Sequence, residues 1–509
     1  MLRLIKRNSG LLQQLRGYAA SSEAAVVESE VFTRYASPFP AQLNLTSALA
    51  QLPETKVSTL ANGLRVASES VPFAETATVG VYIDAGSRFE TDATNGAAHF
   101  LEHMAFKGTA SRGVRDLEVE IENLGGHLNA YTSREQTAYY AKVFQKDVPQ
   151  AVAILADILQ NSKLEERAIA RERDVILREQ QEIEGIPEEV LFDHLHATAF
   201  QHSPLGRTIL GPAENIRSLT RADLVDYITT NYRAPRIVVA AAGAVDHEAL
   251  VAAVEKGFGK LPSDGPTASQ LVDKEPALYT GSEVRIRDPD QANLHFALAY
   301  KGASWADPDS VPLMVIQTLL GAWEKNSGAG SEAASPLVQP LAVNGLANSF
   351  MAFNTNYHDT GLFGVYAVAD NDADHEDLAW TILHKITGLT YGVSQTDVDR
   401  AKNQLKASIL FSGDGTTGTW DLVRCSEDEG ELGGRRGMAE DIGRNLLVYG
   451  RRIPKAELFA RIDAVDAAAV KDVAYRFFND QDVAVAALGD TQFLPDYTWL
   501  RRRTYWLRY

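Results

Sequence analysis

The chain has a single cysteine, Cys425, among its 509 residues, and it has no long uninterrupted apolar run. One cysteine excludes an intrachain disulfide and a zinc site built from thiolates. No run approaches the roughly 18 apolar residues that a transmembrane helix needs, so we predict no membrane span. Basic residues are also in the minority, at 49 against 67 acidic ones. The resulting formal charge of −18 argues against nucleic acid and favours cationic partners.

The first 22 residues have the opposite bias, because they contain basic residues and no acidic residue. Their basic side chains and their leucines at helical spacing are typical of a mitochondrial transit peptide. The segment Arg16-Gly17-Tyr18 resembles a site that is cleaved close to an arginine. We therefore predict a cleaved transit peptide over residues 1–17 and a mitochondrial protein.

The most informative motif is the pentapeptide HFLEH, which contains His99, Glu102 and His103. In a helix, residues four apart leave the same face, so the two imidazoles are predicted to bind one zinc ion. Glu102 lies beside that face, where a carboxylate can take a proton from an attacking water. The order of these residues is the reverse of the commoner HExxH motif.

A catalytic zinc usually has three protein ligands, so a third ligand must come from elsewhere in the chain. Residues 164–184 are rich in helix formers, contain neither glycine nor proline, and carry many carboxylates. Most charges on such a helix face solvent. The pattern alone leaves four candidates open for the third ligand, namely Glu172, Glu179, Glu182 and Glu184.

Four segments resemble the inverted-zincin metallopeptidases, which are the insulinase and pitrilysin-like family. They are NGAAHFLEHMAFKGT from residue 95, GGHLNAY from 125, ERDVILREQ from 172 and HSPLGRTILGPAENI from 202. The likeness extends from Val57 to the C-terminal WLRY. It implies an α+β fold with two homologous insulinase-like (LuxS/peptidase-type) domains, which form half of a clam-shell heterodimer.

The resemblance also implies roles for particular residues. In the family, a glutamate ligand follows the second histidine by 76 positions, and the matching residue here is Glu179. The implied ligands of one zinc ion per chain are then His99, His103 and Glu179. Glu102 is implied to be the general base. Glu172 is implied to support the ligands without binding the metal itself.

Substrate contacts are implied on two further elements. Glu189 and Asp193, four apart on the next predicted helix, match an acidic pair that binds an arginine two residues before the cleaved bond. A hairpin is predicted over residues 125–143, and the resemblance implies that its first strand offers an open edge to an extended substrate. The alternatives are a solvated helix face and an ordinary internal strand. The implied contacts on the strand are Asn129, Ala130 and Tyr131.

Two halves of similar length flank a segment rich in proline, glycine and serine. Both halves mix predicted strands and helices, but only the first has the HFLEH motif, so the pattern indicates a divergent duplication with one active half. Residues 413–438 are predicted to be a flexible surface insertion. The predicted parts are a transit peptide (1–17), a zinc-binding domain (50–262), a linker (263–282), an inactive domain (283–497) and a basic aromatic tail (498–509).

The resemblance, together with the intact motif and the basic N-terminal segment, implies a zinc metalloendopeptidase that removes presequences from proteins imported into mitochondria. The implied partners are a non-catalytic alpha subunit of the processing peptidase, presequence peptides and other subunits of respiratory complex III. The implied location is the mitochondrial matrix, in solution or on the matrix side of the inner membrane. Two alternatives stay open, namely a non-catalytic structural core subunit of complex III and a broad peptide-degrading peptidase.

Overall fold

The computed structural model describes residues 53–71, 74–328, 330–414 and 433–506. The predicted transit peptide lies outside these ranges, and so does most of the predicted insertion at 413–438. No helix within them is both long enough and apolar enough to cross a membrane. The described residues form part of one compact unit that begins at Pro53.

The chain alternates strands and helices in two successive series. The strands are β1 (Lys56–Thr59), β2 (Arg65–Ser70), β3 (Thr76–Ile83), β4 (His127–Thr132), β5 (Thr137–Phe144), β6 (Ile237–Gly243), β7 (Ser282–Arg287), β8 (Asn293–Gly302), β9 (Ala322–Glu324), β10 (Ser349–Asn356), β11 (Gly361–Asp370) and β12 (Ala484–Gly489). The helices of the first series are α1 (Ala97–Ala105), α2 (Val114–Asn123), α3 (Val148–Asn161), α4 (Glu166–Ile183), α5 (Pro187–Ala199), α6 (Ala213–Ser218), α7 (Arg221–Asn231) and α8 (His247–Phe258). The later helices are α9 (Ala268–Lys274), α10 (Ser310–Leu320), α11 (Val338–Val343), α12 (His375–Gly388), α13 (Gln395–Asp414), α14 (Gly433–Tyr449), α15 (Lys455–Asp463), α16 (Ala467–Phe478) and α17 (Tyr497–Arg501).

The strands form two sheets with the same internal plan. The first sheet has the order β1-β2-β6-β3-β5-β4, and the second has the order β7-β12-β8-β11-β10-β9. Each contains one parallel pair, β2 with β6 and β7 with β12, and all other neighbours are antiparallel. The shared order from β2 to β4 and from β7 to β10 supports the predicted duplication.

The two sheets differ at one edge. In the second sheet the short strand β9 pairs with the first three residues of β10. In the first sheet, no strand from the described ranges pairs with the outer side of β4. Helix α10 follows β8 as α1 follows β3, but its sequence SVPLMVIQTLL has no histidine. In the described residues of the second half, the strand that corresponds to β4 is therefore partly covered, and the helix that corresponds to α1 lacks the metal-binding motif.

Strand β3 faces a different layer on each side, because successive side chains of a strand point to opposite faces. Val79, Val81 and Ile83 are buried in the core that the first sheet shares with helices including α1, α3 and α8. Tyr82, on the opposite face, packs in a second cluster with residues of α14. Both faces of the first sheet are thus covered.

The two halves exchange helices across their boundary. Helix α5, from the first half, buries Leu191, Leu195 and Ala199 against the second sheet. Helix α14, from the second half, buries Ile442 and Leu446 against the first sheet. The spacing of three or four residues is that of an amphipathic helix with one apolar stripe. Each sheet therefore depends on a helix from the other half.

Gly443 allows α14 to pack closely against Tyr82 of the first sheet. A Cβ at Gly443 would lie 2.3 Å from Cδ2 of Tyr82, whereas a Cβ at Gly437 in the same helix would meet nothing within 4 Å. We expect Gly443→Ala to lower the free energy of unfolding by about 1–3 kcal/mol, the usual cost of overpacking. The control, Gly437→Ala, should instead stabilise the helix by about 0.5–1 kcal/mol. Thermal unfolding measures both, and equal stabilisation by the two changes would contradict the packing argument.

The predicted linker and tail contain ordered structure. Helix α9 lies within the predicted linker at 263–282 and buries Ala268 and Val272. In the tail, Arg501 forms ion pairs with Asp480 and Asp482, so the described residues 498–506 contact their own half of the chain.

Candidate metal centre

Helix α1 presents the two imidazoles of the HFLEH motif on one face. The ring centroids of His99 and His103 are 4.7 Å apart, with an angle of 72° between the ring planes. His99 is buried and His103 is half-buried. Because α1 packs against β4, α4 and α7, this face lies beside the edge strand and the carboxylate-rich helix.

Glu179 of α4 brings a carboxylate to both imidazoles. Its Oε1 lies 3.5 Å from His99 Nε2, and its Oε2 lies 3.0 Å from His103 Nε2. One ligand atom from each of the three residues lies within 4.8 Å of the others. Glu182 and Glu184, which the sequence left as alternatives, are exposed at the end of the same region.

The charges of this cluster are coupled. Burial alone would raise the pKa of Glu179, but hydrogen bonds and positive charge from His103 and His99 outweigh it and lower this pKa. Burial would likewise lower the pKa of His103, but Glu179, Glu102 and Glu172 outweigh it and raise this pKa. A cation at this point would offset the negative charge of the carboxylates.

Glu172 contacts the cluster from one side. It is buried, and its Oε2 lies 3.6 Å from His103 Nδ1. Its Oε1 lies 2.9 Å from Nζ of Lys107, which offsets its charge. A carboxylate at the second nitrogen of an imidazole fixes the ring orientation and its tautomer. This position fits the predicted supporting role of Glu172, which stays a prediction.

Glu102 is half-buried beside the two histidines. Burial, together with the nearby charge of Glu102, raises the pKa values of Tyr139 and Tyr232, whose hydroxyl oxygens are 3.2 Å apart. Within the described part of the chain, Glu102 accepts no hydrogen bond and forms no ion pair. Its carboxylate is therefore available to exchange a proton with a water molecule.

Glu90 is a site residue that the sequence did not reveal. Its Oε2 accepts hydrogen bonds from the backbone N–H of Gly96 and the side chain of Asn95, and its Oε1 accepts one from Ala98 N–H. Burial raises the pKa of Glu90 to about 7, although these hydrogen bonds act to lower it. The carboxylate thus caps the N terminus of α1. Glu90 lies six residues before Gly96, outside the usual capping positions, so no local motif indicated it.

Among the described strands, β4 lies at an edge of the first sheet, as the family resemblance implied, and is not the internal strand that was the alternative. Asn129 is exposed, and its Oδ1 accepts a hydrogen bond of 2.8 Å from the backbone N–H of Ala130. The hydroxyl of Tyr131 donates to Glu440 of α14 at 3.0 Å. All three predicted substrate contacts therefore already form hydrogen bonds within the chain, and their role in substrate binding stays a prediction.

Glu189 and Asp193 lie one turn apart on α5, and both are half-buried. The apolar stripe of α5 faces the second sheet. Asp193 forms an ion pair with Arg134, which lies in the turn between β4 and β5. The acidic pair is thus located between the second sheet and the hairpin that carries the open edge.

The donor set suits a zinc ion. Two imidazoles and one carboxylate on rigid helices match the ligands and number of a catalytic zinc site that keeps a position open. Nδ1 of His99 is buried and has no hydrogen-bond partner among the described residues. Oε2 of Glu179 is buried as well, and it faces an imidazole nitrogen. The residues present therefore fit the metal.

Two family models match the chain in succession. The model of the insulinase family, peptidase family M16, matches residues 65–213, which contain α1, β4, α4 and α5. The model of the M16 inactive domain matches residues 218–405. The chain belongs to the M16 family. Membership of this metallopeptidase family implies a metal cofactor, and it confirms the prediction of two insulinase-like α+β domains.

Individual M16 relatives are similar over most of their length. The chain is 61% identical to a probable beta subunit of the mitochondrial-processing peptidase from Arabidopsis thaliana, over 94% of this chain and 86% of that protein. It is 51% identical to the corresponding subunit from Lentinula edodes, over 88% and 93%. Among solved structures, a chain in the structure of complex III2 from Candida albicans with Inz-5 bound has a similar fold, with a TM-score of 0.77, 23% identity and coverage of 89% of this chain and 100% of that chain.

Proposed function

We propose that this chain is the catalytic subunit of a zinc endopeptidase that removes presequences from proteins imported into mitochondria. The observation that carries the proposal is the convergence of His99, His103 and Glu179, with Glu102 beside them. The relatives named as beta subunits of the mitochondrial-processing peptidase support the choice of substrate.

His99, His103 and Glu179 would hold the zinc ion. Zinc, when bound, supplies a Lewis acid that polarises the scissile carbonyl and activates an attacking water. Glu102 accepts the proton of that water and passes it to the departing amine. Glu172 keeps the His103 ring in place through Nδ1, 3.6 Å away. Glu90 fixes the start of the helix on which the histidines and Glu102 lie.

Strand β4 and helix α5 would bind the substrate. An extended peptide can add to the free side of β4 through backbone hydrogen bonds, which requires no particular side chains and therefore tolerates varied presequences. The predicted contacts there are Asn129, Ala130 and Tyr131. Glu189 and Asp193 would bind the arginine that lies two residues before the cleaved bond, because a guanidinium matches a pair of carboxylates. The formal charge of −18 would attract cationic presequences.

The proposed partner is the non-catalytic alpha subunit of the same peptidase. The named relatives are beta subunits, which supports an assembly with a second kind of subunit. The proposed location is the mitochondrial matrix, which the basic N-terminal segment at 1–17 also supports. The proposed domains keep the predicted boundaries, with the zinc-binding domain at 50–262 and the inactive domain at 283–497.

A second candidate function is that of a core subunit of respiratory complex III at the matrix side of the inner membrane. The similarity in fold to a chain of complex III2 from Candida albicans favours this candidate. The complete His-His-Glu set with its adjacent glutamate favours catalysis, because a purely structural subunit has no need of it. The two functions are compatible, and native electrophoresis of mitochondrial membranes would show whether the chain migrates with complex III.

Cleavage of a presequence peptide tests the proposal. We expect the full chain, loaded with zinc and combined with an alpha subunit, to cut such a peptide at one bond, two residues after an arginine. Replacing that arginine with citrulline, which has the same shape but no charge, should reduce cleavage by at least about tenfold. An inactive chain with zinc and partner bound would favour the structural role. Cleavage of random peptides without the alpha subunit would favour a broad peptidase.

A further inference from the structure

Arg134 places a positive charge against the proposed binding site for the substrate arginine. It lies in the turn between β4 and β5, two residues after the end of β4. Its guanidinium forms an ion pair with Asp193 of α5. The side chain of Arg134 is 8% exposed and that of Asp193 is 33% exposed, so the pair is largely shielded from water yet can be reached from solvent.

The turn that carries Arg134 is held at both flanks. The backbone carbonyl of Arg134 accepts a hydrogen bond of 2.8 Å from the N–H of Arg88. Glu135 accepts a hydrogen bond of 2.6 Å from the Arg88 side chain and further ones from the backbone N–H of His358 in the second half. The Arg88 guanidinium also binds both oxygens of Asp359, at 2.7 and 2.8 Å. The backbone at Arg134 is therefore anchored to both halves of the chain.

The charge of Arg134 bears directly on what the site can bind. Two carboxylates one helical turn apart suit a guanidinium, and Arg134 already presents a guanidinium to Asp193. A substrate arginine that approached Asp193 would meet this charge at short range and in a partly dry setting, where the repulsion is poorly screened. It would have to displace the Arg134 side chain from Asp193 or share the carboxylate with it.

We propose that Arg134 is a specificity-determining residue that competes with the substrate arginine for Asp193. This inference rests on the proposed function, because it assumes that Glu189 and Asp193 bind the substrate arginine. Arg134 weakens the binding of the substrate cation at this site. Peptides that also pair with β4 regain the affinity that this competition costs. Their backbone hydrogen bonds to β4 hold the arginine beside Asp193 at a high effective concentration.

Equilibrium binding with two matched peptides tests this competition. The full chain would carry Glu102→Gln to prevent cleavage and would be combined with zinc and the alpha subunit. Fluorescence anisotropy gives the affinities for a presequence peptide with arginine, and for the same peptide with citrulline, two residues before the cut. We expect Arg134→Gln to raise the ratio of arginine to citrulline affinity by about tenfold, as expected when a charge against a half-buried carboxylate is removed.

Arg233→Gln serves as the matched control, because Arg233 pairs with the exposed Asp264 and lies outside the proposed site. The control should leave the affinity ratio unchanged. If Arg134→Gln does not fold, Arg134→Met applies the same test, because it also removes the charge while keeping a long side chain, and it should raise the ratio by a similar factor of about tenfold.

The outcomes separate this inference from the function on which it rests. An unchanged or lower ratio in the Arg134 variants would overturn the competition and would mean that Arg134 only positions Asp193. A ratio of one both in the chain that retains Arg134 and in the Arg134 variants would overturn the arginine site itself, and the competition with it. A ratio above one that rises in the Arg134 variants and not in the control would support the competition.

Discussion

Glu102→Gln is expected to abolish peptide cleavage while leaving zinc in place. The amide has the size of the carboxylate but cannot accept a proton, so kcat should fall by at least about 10³-fold, within the range that a positioned general base contributes. Glu102 makes no hydrogen bond or ion pair in the described part of the chain, so its replacement removes no structural contact. Single-turnover cleavage of a presequence peptide and zinc analysis of the same preparation measure the two effects together.

Glu122→Gln is a suitable control for this prediction, because Glu122 is exposed on α2 and is not among the described carboxylates that face His99 or His103. The control variant should cleave at the normal rate. Retained activity in Glu102→Gln would show that another group takes the proton. Loss of zinc from Glu102→Gln would mean that the carboxylate acts as a ligand and not as the base.

Glu179→Gln is expected to lose both zinc and activity. Glu179 is the carboxylate that faces both imidazoles, at 3.5 and 3.0 Å, and an amide oxygen is a weaker ligand because it carries no net charge. Zinc affinity should fall by more than about 100-fold, which is the upper range for loss of a merely supporting group. Competition with a fluorescent zinc chelator measures the affinity, and added zinc should restore activity only at high concentration.

The control for Glu179 lies on the same helix. Glu182→Gln changes an exposed carboxylate three residues further along α4 and should leave zinc affinity unchanged. The sequence left Glu182 as an equal candidate for the third ligand, so the comparison also tests that alternative. Normal zinc affinity in Glu179→Gln would contradict the proposed ligand set.

Local patterns in the sequence were sufficient to predict the helices and strands that form the site. The HFLEH spacing predicted α1, the carboxylate-rich segment predicted α4, and alternation with a turn predicted the hairpin of β4 and β5. The sequence pattern alone could not choose Glu179 over Glu172, Glu182 and Glu184. The family resemblance implied Glu179, and in the structure its carboxylate lies 3.5 and 3.0 Å from the two imidazoles. Which glutamate reaches the histidines depends on how α4 is rotated about its axis relative to α1. Hydrophobic spacing shows which broad face of α4 is buried, but it does not show which polar side chain points at α1.

The contacts that the sequence analysis did not predict join residues that are far apart in the chain. Arg134 and Asp193 are 59 residues apart, and Arg88 and Asp359 are 271 apart. Each of these side chains alone is an ordinary surface charge, and only the packing of distant segments of the chain brings them together as partners. Glu90 was missed for a related reason, since it reaches the end of α1 from outside the residues that normally cap a helix.

The exchange of helices between the halves has a consequence for the order in which the chain folds. The apolar face of α5 is covered by strands that include β12, which lies close to the C terminus. The first half therefore cannot bury this face until nearly the whole polypeptide is available, and closing so large a loop is slow. While the chain is still entering the mitochondrion, its leading half would need protection from aggregation. Once folding is complete, a protease that cut the predicted linker at 263–282 would leave two fragments that remain associated, because α5 and α14 would still pack against the opposite sheets.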